Sequence, residues 1–215
     1  MKQERSLYYA ENMDRLMHRD RFFFNNPVFM QGLGLAPIVV AATNLNNALV
    51  LGFAVLLLLT PTRVLAALLS RGNYLRFRGV TYAVTAAVLY IGVWFAANAL
   101  FGVGIQTVGL YLPLLVVEPI IIKRYERPQK ERVSTALRKG LITTCGFLLA
   151  LFLVAALREL LGAGALFGHP VAARPALPMA QLTCGGFILI GILAALWRWM
   201  RNLFKRVVSM EANAK

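Results

Sequence analysis

Residues 140–157 read Gly140-Leu141-Ile142-Thr143-Thr144-Cys145-Gly146-Phe147-Leu148-Leu149-Ala150-Leu151-Phe152-Leu153-Val154-Ala155-Ala156-Leu157, with no charge anywhere in the stretch. A helix that crosses a membrane needs roughly 20 mostly apolar residues, and this run approaches that length. Five others accompany it: Pro27–Asn44, Asn46–Thr62, Gly79–Phe101, Ile105–Val117 and Ala176–Trp197. The second of the six continues past Arg63 to Leu69, and the fourth continues past Glu118 to Ile122. No soluble core explains six such runs at this spacing. The chain reads as an all-α, polytopic membrane protein with six transmembrane helices.

Composition agrees, once the charges are sorted by position. Apolar residues make up 59% of the 215, charged residues only 15%, and the net charge is +14. Such a balance excludes a disordered chain and leaves a membrane protein with basic flanks or a nucleic-acid binder. If the spans are numbered one to six, the side holding the N-terminus carries residues 1–26, 63–78, 123–139 and 198–215. Of the 23 Lys and Arg residues, 21 fall there, and only Arg158 and Arg174 lie on the other side. Cytoplasmic loops collect Lys and Arg. The expected topology therefore has both termini in the cytoplasm, in the cell (inner, cytoplasmic) membrane. The basic residues serve orientation and contact with anionic membrane lipids. The longest basic segment, Lys123–Lys139, is too short for a nucleic-acid-binding domain. Residues 1–26 are polar and basic, so no cleavable signal peptide is expected. Tyr9, Met13, Leu16 and Met17 at helical spacing, followed by Phe22-Phe23-Phe24, suggest an amphipathic interfacial helix with an aromatic anchor. A partly disordered tail is the alternative.

Three spans before residue 102 and three after it enter from opposite sides, the condition for two inverted three-helix repeats. The expected organisation is a cytoplasmic segment 1–26, a first repeat 27–101, a second repeat 102–200 and a basic tail 201–215. Each repeat opens on an unusual span. Span one contains Gly32-Leu33-Gly34-Leu35-Ala36-Pro37-Ile38-Val39-Val40, and span four contains Leu112-Pro113-Leu114-Leu115-Val116-Val117-Glu118-Pro119. Proline removes a backbone donor and pushes the preceding residue out of the helical region. Both spans should break, near Ala36 and near Glu118. Paired interrupted helices point to a functional centre in the membrane. Two ordinary proline kinks packed against neighbours are the alternative.

Asn26-Pro27-Val28-Phe29-Met30-Gln31-Gly32-Leu33-Gly34-Leu35-Ala36-Pro37 resembles the first span of the Rnf/Nqr membrane subunits. Leu110-Tyr111-Leu112-Pro113-Leu114-Leu115-Val116-Val117 is similar to their second signature. Arg158-Glu159-Leu160-Leu161-Gly162-Ala163-Gly164-Ala165-Leu166-Phe167-Gly168 is the longest match, and Gly186-Phe187-Ile188-Leu189-Ile190-Gly191 also fits. The resemblance covers roughly residues 25–200. With both termini inside, it is nearer to the E-type Rnf and D-type Nqr proteins than to their inverted partners. It implies a membrane subunit of an ion-translocating electron-transport complex, paired with a second six-helix homologue and with further subunits. It also implies a [2Fe–2S] cluster shared between the two homologues. The family's cysteine positions are Ala36 and Pro119 here, and its Asn position is Glu118. Neither Ala nor Pro can ligate iron, which such clusters hold by thiolate. The expectation is a chain that binds no cofactor of its own and acts as scaffold or ion path. A stand-alone, cofactor-free transporter of the same fold is the alternative, and an assembly factor a third.

The remaining candidates follow from their positions. Cys145 and Cys184 should lie near opposite membrane faces, too far apart to share a cluster, and read as small interior apolar residues. Glu118 is the one acid inside a span, and an intramembrane ionisable residue marks an ion site by default. Otherwise it snorkels or pairs with Lys123 or Arg124. Arg158 and Glu159, adjacent and so facing different neighbours, should orient the loop to span six together with Gly162 and Gly164. Asn44, Asn46 and Asn47 read as turn residues. Gly32-Leu33-Gly34 reads as close helix packing. His18 and His169 lack an acid or cysteine nearby and are not metal ligands. No nucleotide loop, metal-ligand spacing or catalytic triad is present, so no residue is assigned as catalytic.

Overall fold

The protein's structure, a computed structural model, describes Met17 and residues 20–69, 77–122 and 132–213. The N-terminal amphipathic segment, His18 and the Lys123 and Arg124 partners considered for Glu118 lie outside these residues. Among the described residues, four helices are long and apolar enough to cross a membrane. They are α1 (Leu45–Leu69), α2 (Arg78–Phe101), α6 (Val133–Ala163) and α7 (Thr183–Asn213). Between α2 and α6 lie three short helices, α3 (Gly104–Val108), α4 (Tyr111–Leu114) and α5 (Pro119–Ile122), with a 3₁₀ turn at Leu115–Val117. A two-stranded ribbon, β1 (Ala165–Leu166) and β2 (His169–Pro170), and a 3₁₀ turn at Pro178–Gln181 join α6 to α7.

Two of the six apolar runs therefore differ from the four spanning helices. The run from Pro27 is a chain of turns up to Gly34, becomes helical at Leu35, and passes into a π-helical turn over Pro37–Ala41. The run from Ile105 is cut into short helices. The prolines account for much of this, since Pro37 and Pro119 each sit at the start of a helical turn, where the missing N–H is not needed.

α1 and α6 form an antiparallel central pair. The Leu45 N–H donates to Glu159 at one end (2.8 Å), and further along the pair the Thr60 and Thr144 hydroxyls meet (2.9 Å) and, one turn on, Arg63 reaches Thr143. About half of the apolar window of α1 (56%) and α6 (50%) is buried inside the chain, against 22% for both α2 and α7. The outer pair consequently presents rows of apolar side chains to the surroundings, among them Val84, Val88, Ile91 and Phe95 on α2 and Ile188 and Ile192 on α7. A helix in lipid suffers no penalty for such exposure.

The N-terminal approach is anchored on this pair. Asn26 is fully buried, donating to the Gly146 carbonyl of α6 (2.8 Å) and accepting from the Val28 N–H (2.9 Å). Two of the three consecutive phenylalanines pack on α7: Phe23 on Trp197 and Phe24 on Phe204, while Phe22 stays exposed. The Trp197 indole N–H donates to the Phe23 carbonyl (2.7 Å). Cys145 and Cys184 are both exposed on the helix surfaces, contrary to the expected interior positions. Each falls on an outward stripe of its helix, which apolarity alone does not mark in a membrane protein.

Gly146 admits the Arg21 carbonyl and Pro27 so closely that a β-carbon there would collide with both. Gly146→Ala should lower the thermal unfolding temperature of the detergent-purified chain, with an overpacking cost of about 1–3 kcal/mol. Gly191→Ala, in open space, should leave that temperature unchanged or raise it.

Candidate functional site

The second break is a helix stop and restart at Glu118. Its N–H still closes the preceding turn on the Leu115 carbonyl (3.2 Å), its backbone turns extended (φ −60°, ψ 133°), and its carbonyl accepts from Ile121 (2.9 Å) and Ile122 (3.1 Å). The first break ends at Ala42, whose N–H closes the π-helical turn on the Pro37 carbonyl (3.3 Å). The two breaks wall one pocket of about 180 Å³, lined by Ala36, Pro37, Tyr111, Leu114, Val117, Glu118 and Pro119. Ala36, Glu118 and Pro119 thus meet, although 82 residues separate Ala36 from Glu118 in sequence. Glu118 is half-buried, and Ala36 and Pro119 are exposed on the chain's surface.

The residues of this lining with polar side chains are Glu118 and Tyr111. No thiol or imidazole is among them, so the donor set does not fit an iron–sulfur cluster, which is held by thiolates. Among the described residues no group of three or more His, Cys, Asp and Glu side chains converges on a possible metal position.

Behind the first break stands Arg158, fully buried in α6. Its guanidinium donates to the carbonyls of Val39 and Ala42 (3.2 Å for Ala42) and, at 3.5 Å, Ile38. On its other side it donates to Ala180 (2.9 Å), Gln181 (3.0 Å) and Leu182 (3.4 Å) in the turn before α7. These carbonyls lie where helical segments and turns end and intrahelical donors run short, and a planar guanidinium with five N–H groups can serve many at once. Glu159 does the complementary work. Its carboxylate accepts from the Leu45 N–H at the start of α1 and from the Gly168 N–H in the ribbon, both at 2.8 Å. Gly164 is left-handed (φ +66°) and closes α6 on the Leu160 carbonyl. Gly162 leaves room for Gln181, whose Cγ lies 2.7 Å from where a β-carbon would stand.

Two residues read otherwise from sequence, Asn47 and Arg63, join this framework. Asn44 does cap the turn, accepting from the Asn47 N–H (2.8 Å). Asn47 does more: its amide donates to the Ala41 carbonyl (3.2 Å), and its oxygen accepts from the Thr107 hydroxyl of α3 (2.7 Å), tying the two broken runs together. Arg63, counted among the flanking charges, is buried at 1% exposure and points inward to Thr143 and to the Ile120 carbonyl of α5. Gly34 (φ +69°) lies against Phe147 of α6. Tyr111 carried no sequence signal beyond the proline two residues on.

Residues 16–194 match the model of a family described as Rnf-Nqr subunit, membrane protein. The E-type component of the proton-translocating ferredoxin:NAD(+) oxidoreductase complex of Clostridium ljungdahlii is 34% identical over 175 residues, 80% of this chain and 82% of that protein. The E-type component of the ion-translocating oxidoreductase complex of Shewanella oneidensis is 34% identical over 189 residues, 80% of this chain and 81% of that one. Its counterpart in Haemophilus ducreyi is 34% identical over 149 residues, 69% and 66% of the two chains.

Glu159→Leu should leave the buried Leu45 N–H without an acceptor, at about 1–3 kcal/mol, and release the partly exposed Gly168 N–H at a smaller cost. Glu159→Gln keeps an oxygen for one of them and should cost less. Thermal unfolding of the purified variants in one detergent ranks the three chains, and parent-like stability of Glu159→Leu would contradict the assignment.

Proposed function

The chain belongs to the Rnf-Nqr family of membrane subunits, and we propose that it serves as a multi-pass membrane subunit of an ion-translocating oxidoreductase complex. The observation that carries the reading is the meeting of two broken membrane segments at one pocket that holds a carboxyl group. Six membrane segments, in this reading, form two inverted halves. Each half is a broken segment followed by two long helices: the run from Pro27 with α1 and α2, then the run from Ile105 with α6 and α7. The antiparallel α1–α6 pair at the centre supports that arrangement. So does the pocket, to which each broken segment contributes one wall. The charge distribution supports both termini in the cytoplasm and insertion in the inner membrane.

Within such a complex the chain acts as scaffold and ion path, beside a second six-helix homologue and further subunits. It holds no cluster, because Ala36 and Pro119 stand where the family's thiolates would be. Glu118 is the ion-binding group of the pocket. A carboxyl held in a mostly apolar cleft at a helix break binds a proton or cation and can release it when the cleft rearranges.

Purification of the native complex through a tag on this chain, with subunit identification and iron and acid-labile sulfide analysis, tests the assignment. Partner subunits should co-purify, and this chain, separated from them, should carry no stoichiometric iron. In reconstituted vesicles Glu118→Gln should lower ion translocation about tenfold or more, a barrier change of at least ~1.4 kcal/mol, with the complex still assembled. Unchanged translocation by Glu118→Gln would remove Glu118 from the ion path.

A further inference from the structure

Two buried arginines stand in matching places. Arg158 lies near the C-terminal end of α6 and binds the carbonyls of Ile38 and Val39, in the π-helical turn Pro37–Ala41 that forms part of the first break. Arg63 lies near the C-terminal end of α1 and binds the carbonyl of Ile120, in the turn Pro119-Ile120-Ile121-Ile122 that follows the second. Both turns begin with proline and continue with three β-branched aliphatic residues. Each arginine belongs to a long helix of one half and reaches the broken segment of the other. Because α1 and α6 are antiparallel, the two guanidinium groups act about 25 Å apart, on opposite sides of the pocket level.

We propose that Arg63 and Arg158 are reciprocal positioning residues, each fixing the wall that the opposite half contributes to the pocket. The π-helical turn of the first segment ends at Ala41 with carbonyls that lack intrahelical donors, and inside a membrane water cannot satisfy them. A guanidinium beside such carbonyls supplies the donors, as Arg158 does there and as Arg63 does for the Ile120 carbonyl of the second segment. Arg63 braces itself on α6 while it does so, through the Thr143 hydroxyl (3.3 Å) and the Lys139 carbonyl (3.5 Å). Neither arginine lines the pocket. They act on it through the turns that carry Ala36 and Pro37 on one wall and Glu118 and Pro119 on the other.

The role requires the forked guanidinium and not charge alone, which separates it from an orientation signal. The proposal rests on the pocket of the preceding subsection. Its test uses the full-length chain in membranes, with Cys145→Ser and Cys184→Ser removing the native thiols and Ala36→Cys with Val117→Cys placing one reporter on each wall. A short bifunctional thiol reagent followed by peptide mass spectrometry gives the yield of linked walls. Arg63→Lys and Arg158→Lys should each lower that yield about tenfold, equivalent to ~1.4 kcal/mol in favour of separated walls, with the chain still inserted in the parent orientation. Thr60→Val, which removes the α1–α6 hydroxyl contact, should reduce stability and leave the yield intact. Parent-like yield in Arg63→Lys overturns the proposal, because a charge-only residue would behave so. Should a lysine variant fail to accumulate, the glutamine variant at that position, which keeps two N–H donors, should give a yield between parent and the tenfold loss, and parent-like yield there overturns the proposal equally. No linkage in the parent pair would instead refute the shared pocket on which the functional reading stands.

Discussion

A backbone that stops being helical inside an apolar medium must find partners for its own amides and carbonyls, and the rest of this structure follows from how that demand is met. The two broken segments are bound by polar side chains drawn from elsewhere in the chain. Arg158 takes carbonyls, Glu159 takes amides at the start of α1 and in the ribbon, Asn26 takes both, and Asn47 takes a carbonyl and the Thr107 hydroxyl. These four are spread over more than 130 positions, and each bonds across elements. Burying an ionised group is costly unless every lone pair and proton is used. Arg158 and Glu159 divide the work, Arg158 donating to backbone through all three guanidinium nitrogens and Glu159 accepting one backbone N–H on each carboxylate oxygen.

The architecture around the breaks is simpler. α1 and α6 supply a shared spine, packed closely at Gly140 against Thr60 and at Gly52 against Leu148 and Leu151, as expected where lipid gives no hydrophobic drive to associate and packing must supply it. α2 leans on α1, α7 packs mainly on the N-terminal approach and on the turns at Pro37–Ala41 and Pro178–Gln181, and both turn most of their apolar surface outward. Hydrogen-bonded framework and spine meet at two places along the α1–α6 pair, where Glu159 holds the start of α1 and where Arg63 reaches Thr143.

Much of this was legible as pattern. Charge-free length identified the four long helices, and Pro119 marked the stop at Glu118, whereas Ala36, where a break was expected, is helical (φ −58°, ψ −53°) and leads into the π-helical turn without interruption. What could not be read was direction. Arg63 sits where a flanking charge would sit, six residues from the end of α1, and only tertiary structure shows that it points inward. Cys145 and Cys184 looked like interior residues because apolarity marks inside and outside alike in a membrane protein; the structure exposes both. Asn47 looked like a turn residue and is one by backbone, while its side chain bonds to α3 some 60 positions away. The meeting of Ala36 with Glu118 and Pro119 was implied by resemblance and by the paired prolines, but Tyr111 entered the lining unannounced.

The bonds that shape the two breaks end on backbone atoms, and none of them uses the side chain of Ala36 or Pro119. The cradle therefore does not depend on what it cradles. In a descent where the thiols at such positions were exchanged for alanine and proline, selection on redox chemistry could lapse while selection on shape continued undisturbed. The lineage would keep a membrane scaffold already broken in the right two places, and a carboxyl arising beside the vacated positions would inherit a finished pocket.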